Sequence, residues 1–364
     1  MPATQTGRIV RVAATQLASV DFDLDACVDK ACKAIVEASE KGCQLIGFSE
    51  CFIPGYPFWI WKRAVDFGSV KKYIANSLKV DSPEMKRICE TAKEHNIAVQ
   101  LGFSENDNQS LYISQALIGQ DGEIKKVRRK TKPTHMERTI FGDSSGDSLL
   151  NVIDLPGIGK VGGLNCWEHT QPLLRYHTYT QGEEFHVAAW PPMLSAASNP
   201  DIIWSTVAEG SKALSQTHSI EGGTFTLYCN AVLQASTCTL MDVAGAPLYG
   251  LAGGGYTAIY GPDGAQISKS TLGPEEEGLV IADCDIDEIT RNKHFLDTYG
   301  HYSRPDLLWL GVDYNAKPHV RATPVVKADG GSEGEPEWQW KMVRRPKSNG
   351  QPSTPSETDD GSLV

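Results

Sequence analysis

Residues Gly162-Gly163-Leu164-Asn165-Cys166-Trp167-Glu168-His169 place a cysteine at the abrupt end of an apolar run. The preceding residues, from Ile158 to Leu164, are small or branched with glycines among them, which is typical of a buried strand that other backbone approaches closely. A thiol at the corner where such a strand leaves its sheet is accessible to a small molecule, whereas a thiol within the strand is a packing residue. The position would suit a nucleophile, but the pattern alone favours the other interpretation of Cys166, a small buried packing residue.

Length and charge limit the kind of protein this can be. The chain of 364 residues is long enough for one large domain or two ordinary ones. Its hydrophobic content of 40% and charged content of 22% are those of an ordinary soluble globular protein. The formal charge of -11 argues against nucleic acid or an anionic membrane as a partner, because both bind net basic surfaces. A small neutral or cationic ligand suits the chain better.

The N-terminus and the cysteines predict a cytosolic protein. Residues Met1–Gly7 are polar and lead into a strand-like run, without the basic and apolar segments of a secretory signal. No stretch reaches the roughly 18 apolar residues needed to span a bilayer. The nine cysteines are scattered and lack paired CxxC spacing, so the sequence predicts neither a disulfide framework nor a zinc site.

The order of predicted elements is that of an α/β chain with one domain. Strands are predicted over residues 8–16, 45–48, 97–103, 111–118, 123–127, 149–155, 161–164, 185–190, 224–229, 236–240, 256–260, 266–269 and 279–284, and helices over 23–41, 82–95, 171–181, 201–221 and 285–294. From about residue 325 the composition changes to Gly, Ser, Pro, Glu and Lys. We therefore expect a domain over residues 1–324 and a disordered or assembly-related tail over 325–364.

Two more segments place a reactive side chain directly after a predicted strand. Glu50 precedes a loop rich in aromatics and proline, where a partly desolvated carboxylate acquires a raised pKa suited to proton transfer; the alternative is a cap or an ion pair. Lys130 lies in the cationic segment over residues 128–132, which is either a solvated edge or, with Pro133 and mixed charges after it, a fixed irregular loop.

A carboxylate, an amine and a thiol, each after a strand, resemble the Glu–Lys–Cys set of the nitrilase superfamily. The resemblance is carried by FSECFIPGYPFWIW, RRKTKPTHMER and GGLNCWEHTQPLLRYHTYTQGEEFHVAAWP, with weaker support from later segments, and it spans the chain from residue 8 to about 313. It implies a four-layer α-β-β-α sandwich. One departure is Ser49, which stands where the family usually has proline and weakens the argument that Glu50 is rigidly held.

The resemblance also implies roles. Glu50 would be the general base, Lys130 the cation that steadies the developing anion, Cys166 the nucleophile, and Glu137 a second carboxylate near the thiol. The reaction would be hydrolysis of an organic nitrile to the carboxylic acid and ammonia through a covalent thioimidate and thioester, without metal or organic cofactor. The family's habit of forming dimers and spiral filaments implies a homo-oligomer.

The aromatic loop and the NCWEH motif look like the nitrilase branch of the superfamily. Expected pocket residues are Tyr56, Trp61, Trp167, His169 and Trp190, although tryptophans in such a fold are equally often core. The alternatives are a cyanide hydratase that forms formamide, a hydrolase of amides, and an assembly protein with an idle site, the last suggested by the tail and its Trp338-Gln339-Trp340 island. The sequence does not reveal which nitrile is preferred.

Overall fold

The computed structural model describes residues 7–198, 202–318 and 320. The strands are β1 (Ile9–Leu17), β2 (Leu45–Gly47), β3 (Ala98–Asp107), β4 (Ser110–Ile118), β5 (Ile124–Arg129), β6 (Ile153–Leu155), β7 (Gly159–Asn165), β8 (Phe185–Trp190), β9 (Phe225–Ala231), β10 (Ala258–Tyr260) and β11 (Gly278–Asp285). The helices are α1 (Leu24–Glu40), α2 (Phe67–Asn76), α3 (Pro83–Glu94), α4 (Pro172–Thr180), α5 (Ala208–Gly222), α6 (Ala235–Leu240) and α7 (Asp287–Phe295). The chain divides into two units, Met1–Lys317 and Pro318–Val364, and all of these elements lie in the first.

The strands form two half-sheets that share β1. In one half, β1, β2 and β3 run parallel and continue into the antiparallel strands β4 and β5. In the other half, β9, β8 and β7 run parallel and end on the antiparallel strand β6. The halves join where Gln16 of β1 pairs with Asn230 of β9, while β11 pairs antiparallel with β1 and β10 with β9.

The alternation of side chains along the strands builds four layers. In β8, Phe185 and Val187 point into the apolar interior between the half-sheets, where they meet residues of β1 such as Val12. Their neighbours Ala188 and Trp190 pack outward on the side of α5. On the opposite outer face, α1 and α3 cover the half-sheet of β1 to β4. The fold is therefore the α-β-β-α sandwich that the sequence implied.

Local signals at the helix ends explain why most boundaries were predictable. Asp23 caps α1 by accepting a hydrogen bond from the Ala26 N–H, and Ser82 caps α3 with Pro83 in its first turn. Gly223 ends α5 in the left-handed conformation that a residue without Cβ adopts easily.

Several predicted elements were wrong in detail. Residues 236–240, predicted as a strand, are helical in α6, since a short polar and apolar run carries no decisive period. The helix predicted over 201–221 begins at Ala208, the strand predicted over 149–155 is confined to β6, and residues 266–269 contribute only an isolated bridge from Gln266 to Tyr260. The helix α2 was missed, although Asp66 caps it.

Two expectations concern the rest of the chain. The tail predicted over residues 325–364 lies outside the described residues, so its boundary stays a prediction. Within the part of the chain that the structure describes, no helix is both long and apolar enough to cross a bilayer.

Candidate active site

The loop after β2 holds Glu50 inside the protein. Glu50 is 1% exposed, and the backbone of this loop packs against β3, where a Cβ on Gly102 would overlap the Ser49 carbonyl. The loop also pairs with β3 through the Ser104 N–H, which donates to the Ile53 carbonyl at 2.7 Å. Backbone pairing and a required glycine fix the loop, and the serine at position 49 does not prevent this.

The segment after β5 brings an ammonium between two carboxylates. The Lys130 N–H donates to the Ile113 carbonyl at 2.7 Å and thereby extends the edge of β5. The Lys130 Nζ, on a side chain 1% exposed, donates to Glu50 Oε1 at 2.8 Å and to Glu137 Oε2 at 2.8 Å. Residues from two separate segments therefore meet in one buried cluster, which we call the Lys130 cluster (Glu50, Lys130 and Glu137).

Cys166 follows β7 at the start of a short 3-10 helix. Its φ of +49° is in the left-handed region, which costs a residue with a Cβ about 1–2 kcal/mol. Such strain persists where surrounding structure imposes it, as at functional turns. The side chain is 3% exposed, and the charges of Glu50, Lys130 and Glu137 all act on its thiol. The thiol thus faces the Lys130 cluster.

Burial and neighbouring charge set the protonation of this site. Burial raises the pKa of Glu50 to about 8, with Lys130 lowering it and Glu137 raising it. Burial and then the charge of Glu50 raise the pKa of the Cys166 thiol well above its ordinary value. Burial opposes the charge of Lys130, but the carboxylates outweigh it and raise its pKa. Burial therefore favours the neutral thiol over the thiolate at this position.

The two carboxylates of the Lys130 cluster differ in the number of hydrogen bonds that they accept. Glu137 accepts hydrogen bonds from Lys130, from Tyr56 Oη at 2.8 Å and from the Thr134 N–H at 2.6 Å. Glu50 accepts from Lys130 through Oε1 alone, and its buried Oε2 has no hydrogen-bond partner among the described residues. An unpartnered carboxylate oxygen is free to take a proton.

A second buried acid lies close by and is fully paired. Glu168 receives both terminal nitrogens of Arg128 at 2.7 Å and the N–H groups of Thr131 and Asn165 at 2.8 and 2.9 Å. Burial alone would raise the pKa of Glu168, but the charge and hydrogen bonds of Arg128 lower it to about 2. Arg128 and Lys130 are two residues apart and point to the same side of the chain. The Arg128–Glu168 ion pair therefore connects the segment of Lys130 to the 3-10 helix that begins at Cys166.

Tyr56 and Trp61 border the Lys130 cluster as part of an aromatic group. The Trp61 Nε1 donates to Tyr56 Oη at 3.1 Å, and the Trp61 ring stacks on His135 with centroids 5.6 Å apart. Tyr249, which the sequence analysis did not identify, packs on Tyr56 at 5.4 Å and on Trp61 at 5.8 Å. Burial and then the charge of Cys166 raise the pKa of Tyr249.

A cavity of about 760 Å³ opens beside the Cys166 loop. Trp167 and Glu168 line one side, His135 lies in another part of its wall, and residues 310–313 close it. Cys166 itself does not line this cavity. The volume is in the range that holds small organic ligands.

His169 and Trp190, also predicted as pocket residues, are placed differently. Both are fully buried, and their rings stack with centroids 5.3 Å apart. The His169 Nδ1 bonds the Cys166 carbonyl at 2.7 Å, and its Nε2 lies 2.9 Å from Nε2 of His186. His169 therefore lies between the backbone of Cys166 and the buried side chain of His186.

The group of His169, His186 and His218 has the spacing of metal ligands, with one nitrogen of each within 4.8 Å of the others. A metal at about 2.1 Å from two histidines must lie in both ring planes. The rings of His186 and His218 are stacked with centroids 3.5 Å apart and planes at 26°, and such planes do not meet at that distance. The arrangement does not fit a metal.

Sequence reasoning missed Arg128, Glu183, His186, His218 and Tyr249. Polar residues inside an otherwise apolar strand, such as His186 in FHVAAW, were the available signal. A buried histidine needs partners, and the acid two residues before β8 was the nearest one. Tyr249 lies in an irregular segment and gave no comparable signal.

Comparison with known proteins identifies one family. The family model described as carbon-nitrogen hydrolase matches residues 11–293. A protein of Hypocrea virens named arylacetonitrilase is 55% identical over 314 residues, covering 86% of this chain and 94% of that protein. An arylacetonitrilase of Aspergillus kawachii is 53% identical over 312 residues, with coverage of 86% and 94%.

Solved structures share the fold at low identity. The NitFhit protein of C. elegans superposes with a TM-score of 0.64 at 18% identity, covering 86% of this chain and 69% of that one. An amidase of Nesterenkonia sp. AN1, with the acetamide moiety of fluoroacetamide added at its active site cysteine, has a TM-score of 0.58 at 18% identity, with coverage of 83% and 96%. At this identity the likeness shows the α-β-β-α fold alone.

Proposed function

The chain belongs to the carbon-nitrogen hydrolase family, and we propose that it is a nitrilase that converts arylacetonitriles to the arylacetic acid and ammonia. The observation that carries the chemistry is the buried carboxylate of Glu50, whose Oε1 accepts from the same ammonium as Glu137 while its Oε2 has no hydrogen-bond partner among the described residues. The substrate class comes from the relatives named arylacetonitrilase, which match nearly the whole of their own length.

The first step is attack on the nitrile carbon by the Cys166 sulfur. Because burial keeps the thiol neutral, its proton passes to Glu50 as the carbon–sulfur bond forms, and Glu50 then protonates the nitrile nitrogen. The product is a thioimidate. Lys130 and the Trp167 N–H stabilise the negative charge that develops on nitrogen.

The next steps use Glu50 twice more. As a carboxylate it takes a proton from water, whose oxygen adds to the thioimidate carbon. The tetrahedral species accepts a proton on nitrogen, loses ammonia and becomes a thioester. A second water, activated in the same way, breaks the carbon–sulfur bond and yields the acid and the free thiol. The sum is one nitrile and two waters giving one acid and one ammonia.

The surroundings suit an aryl group. Tyr56, Trp61 and Tyr249 place aromatic rings next to the Lys130 cluster, and Trp167, the residue after Cys166, lines the neighbouring cavity. Aromatic rings bind one another in offset and edge-to-face arrangements. An arylacetonitrile sets its ring one methylene away from the reacting carbon, whereas hydrogen cyanide would leave this aromatic surface unused.

The experiment compares ammonia release from phenylacetonitrile, benzonitrile, an alkyl nitrile, cyanide and phenylacetamide. We expect the highest kcat/KM with phenylacetonitrile, and a covalent adduct on Cys166 by intact-protein mass spectrometry during turnover. Cys166→Ala abolishes both, while Cys89→Ala on the distant helix α3 serves as the matched control. Formamide from cyanide as the main activity, or turnover that survives Cys166→Ala, would reject the proposal.

The cellular setting belongs to the same proposal. Nine free cysteines suit a reducing compartment, which supports a cytosolic location. Exposed apolar side chains near the end of the first unit, Leu307, Leu308 and Trp309, support a homo-oligomer of dimers building spirals or filaments. Light scattering that compares the full-length wild type with Leu308→Ser measures the oligomeric state.

A further inference from the structure

A chain of buried polar side chains runs from helix α5 to the backbone of Cys166. His218 Nε2 lies 2.9 Å from Glu183 Oε2, Glu183 Oε1 lies 2.7 Å from His186 Nδ1, and His186 Nε2 lies 2.9 Å from His169 Nε2. His169 Nδ1 then reaches the Cys166 carbonyl at 2.7 Å. We call these four residues the histidine chain; none is more than 3% exposed.

The end of the histidine chain dictates the direction of every hydrogen bond in it. A carbonyl only accepts, so His169 carries its proton on Nδ1 and accepts on Nε2. His186 must therefore donate from Nε2 and accept on Nδ1, which makes Glu183 the donor in its neutral acid form. Burial raises the pKa of Glu183 and lowers that of His186 to about 3, in agreement with an uncharged chain.

The histidine chain ends on the peptide group between Cys166 and Trp167. The Cys166 carbonyl and the Trp167 N–H belong to the same planar trans peptide and point in opposite directions. A donor that holds the carbonyl from the buried side thereby turns the Trp167 N–H toward the thiol, and it polarises that N–H as well. The Trp167 N–H does act on the Cys166 sulfur, lowering the pKa of the thiol against the larger effect of burial.

We propose that the histidine chain is a positioning device that fixes the Cys166–Trp167 peptide, so that the Trp167 N–H points at the sulfur and at the nitrogen anion formed during attack. The device also explains how Cys166 keeps its left-handed backbone, because the carbonyl of a strained residue is held by a buried donor. The kinetic part of this inference rests on the proposed nitrilase function, whereas the thiol reactivity does not.

The test compares two substitutions of nearly the same shape. His169→Asn keeps an N–H donor close to the position of Nδ1, and His169→Leu removes it. We expect His169→Leu to lower kcat for phenylacetonitrile about 100-fold, the size of a lost anion-stabilising donor, with KM within threefold. His169→Asn should retain at least a tenth of the wild-type kcat. Ser215→Ala, a buried polar deletion on α5 outside the histidine chain, is the control for packing damage.

A second readout is the rate at which iodoacetamide alkylates Cys166, followed against pH by peptide mass spectrometry. In His169→Leu the alkylation curve should move to higher pH, and in His169→Asn it should stay near that of the wild type. Glu183→Gln tests the neutral form, because an amide donates to His186 and accepts from His218 as the acid does. We expect its kcat within about fivefold of the wild type.

Three outcomes would overturn the proposal. These are equal kcat values in the leucine and asparagine variants, an unshifted alkylation curve in the leucine variant, or a loss of more than 50-fold in Glu183→Gln. If the wild type releases no ammonia from any nitrile, the proposed function fails, but the alkylation curves still decide the positioning role. If the leucine variant does not fold, His169→Met, which also removes the donor to the Cys166 carbonyl, is judged by the same readouts.

Discussion

Two buried acids near the Cys166 loop, Glu50 and Glu168, differ in how many hydrogen bonds their oxygens accept. Both are at most 2% exposed, and each contacts a cation at the end of β5, Lys130 just after the strand for Glu50 and Arg128 within it for Glu168. Glu168 has donors for both oxygens and a pKa lowered to about 2, chiefly by Arg128 acting against burial. Glu50 has one donor, one free oxygen and a pKa that burial raises to about 8.

The difference indicates that hydrogen bonding and ion pairing, rather than burial alone, set the opposite pKa shifts of the two carboxylates. A carboxylate with every lone pair engaged cannot accept a proton without losing those bonds. A buried carboxylate with one free oxygen has a raised pKa, and it can accept a proton on that oxygen without breaking a hydrogen bond. Substitutions at the two acids should therefore have opposite consequences.

The largest expected effect is on activity at Glu50. Glu50→Gln keeps an acceptor for Lys130 but removes the proton acceptor, so kcat/KM for phenylacetonitrile should fall by at least about 1,000-fold. The thermal midpoint should stay within about 3 °C of the wild type, since no buried bond is lost. Ammonia release and thermal unfolding measure the two quantities. Activity within tenfold of the wild type would remove Glu50 from the role of base.

The reverse pattern is expected at Glu168. Glu168→Gln leaves Arg128 charged and uncompensated in the interior, which lowers the free energy of unfolding by about 3 kcal/mol in denaturant titrations. The control is the double variant Arg128→Met with Glu168→Gln, which removes the unpaired charge and should recover more than half of that loss. No recovery would mean that the pair does not act as a unit.

The wild-type pH dependence of stability sharpens the same contrast. Because the folded pKa of Glu168 is lowered from 4.5 to about 2, its contribution to stability is present above pH 4.5 and is lost as the pH falls toward 2. Because the folded pKa of Glu50 is raised, the protonated acid favours folding below pH 4.5, and this contribution is lost as the pH rises through about 8.

The smallest effect is expected at Tyr56. Its hydroxyl donates to Glu137, so that Glu137, like Glu168, accepts hydrogen bonds on both oxygens. Tyr56→Phe removes one donor from Glu137 and should cost about 1–2 kcal/mol of unfolding free energy with a several-fold loss of kcat. Tyr73→Phe is the matched control, because its hydroxyl is buried and donates to the Gly55 carbonyl rather than to Glu137. Equal losses of kcat in both variants would argue against a specific effect through Glu137.

The sequence predicted the order of strands and helices well because caps, glycines and apolar periods are local signals. It also singled out Glu50, Lys130 and Cys166, since each follows a strand and a sheet gathers the ends of its parallel strands. The structure brings Glu50 and Lys130 into contact and sets the thiol within reach of their charges. Their catalytic roles remain part of the proposal.

The sequence could not predict which side chains would be the hydrogen-bond and ion-pair partners of these buried groups. Nothing local distinguishes the satisfied Glu168 from the half-satisfied Glu50, because the distinction depends on Arg128 and Lys130 pointing the same way from β5. His169 was expected in the pocket as part of the NCWEH motif. The structure places it beside His186, since the short 3-10 helix turns the two positions to different sides.

The most direct test is the pH dependence of kcat/KM for phenylacetonitrile, which itself has no group that titrates between pH 5 and 9. Burial has the largest effect on the pKa of Glu50, while the charge of Lys130 lowers it and the charge of Glu137 raises it. Since the ionised carboxylate is the base, kcat/KM should rise roughly tenfold per pH unit and level off above about pH 8. A plateau that extends down to pH 5 would contradict the account, because it would mean that the acid at position 50 has an ordinary pKa.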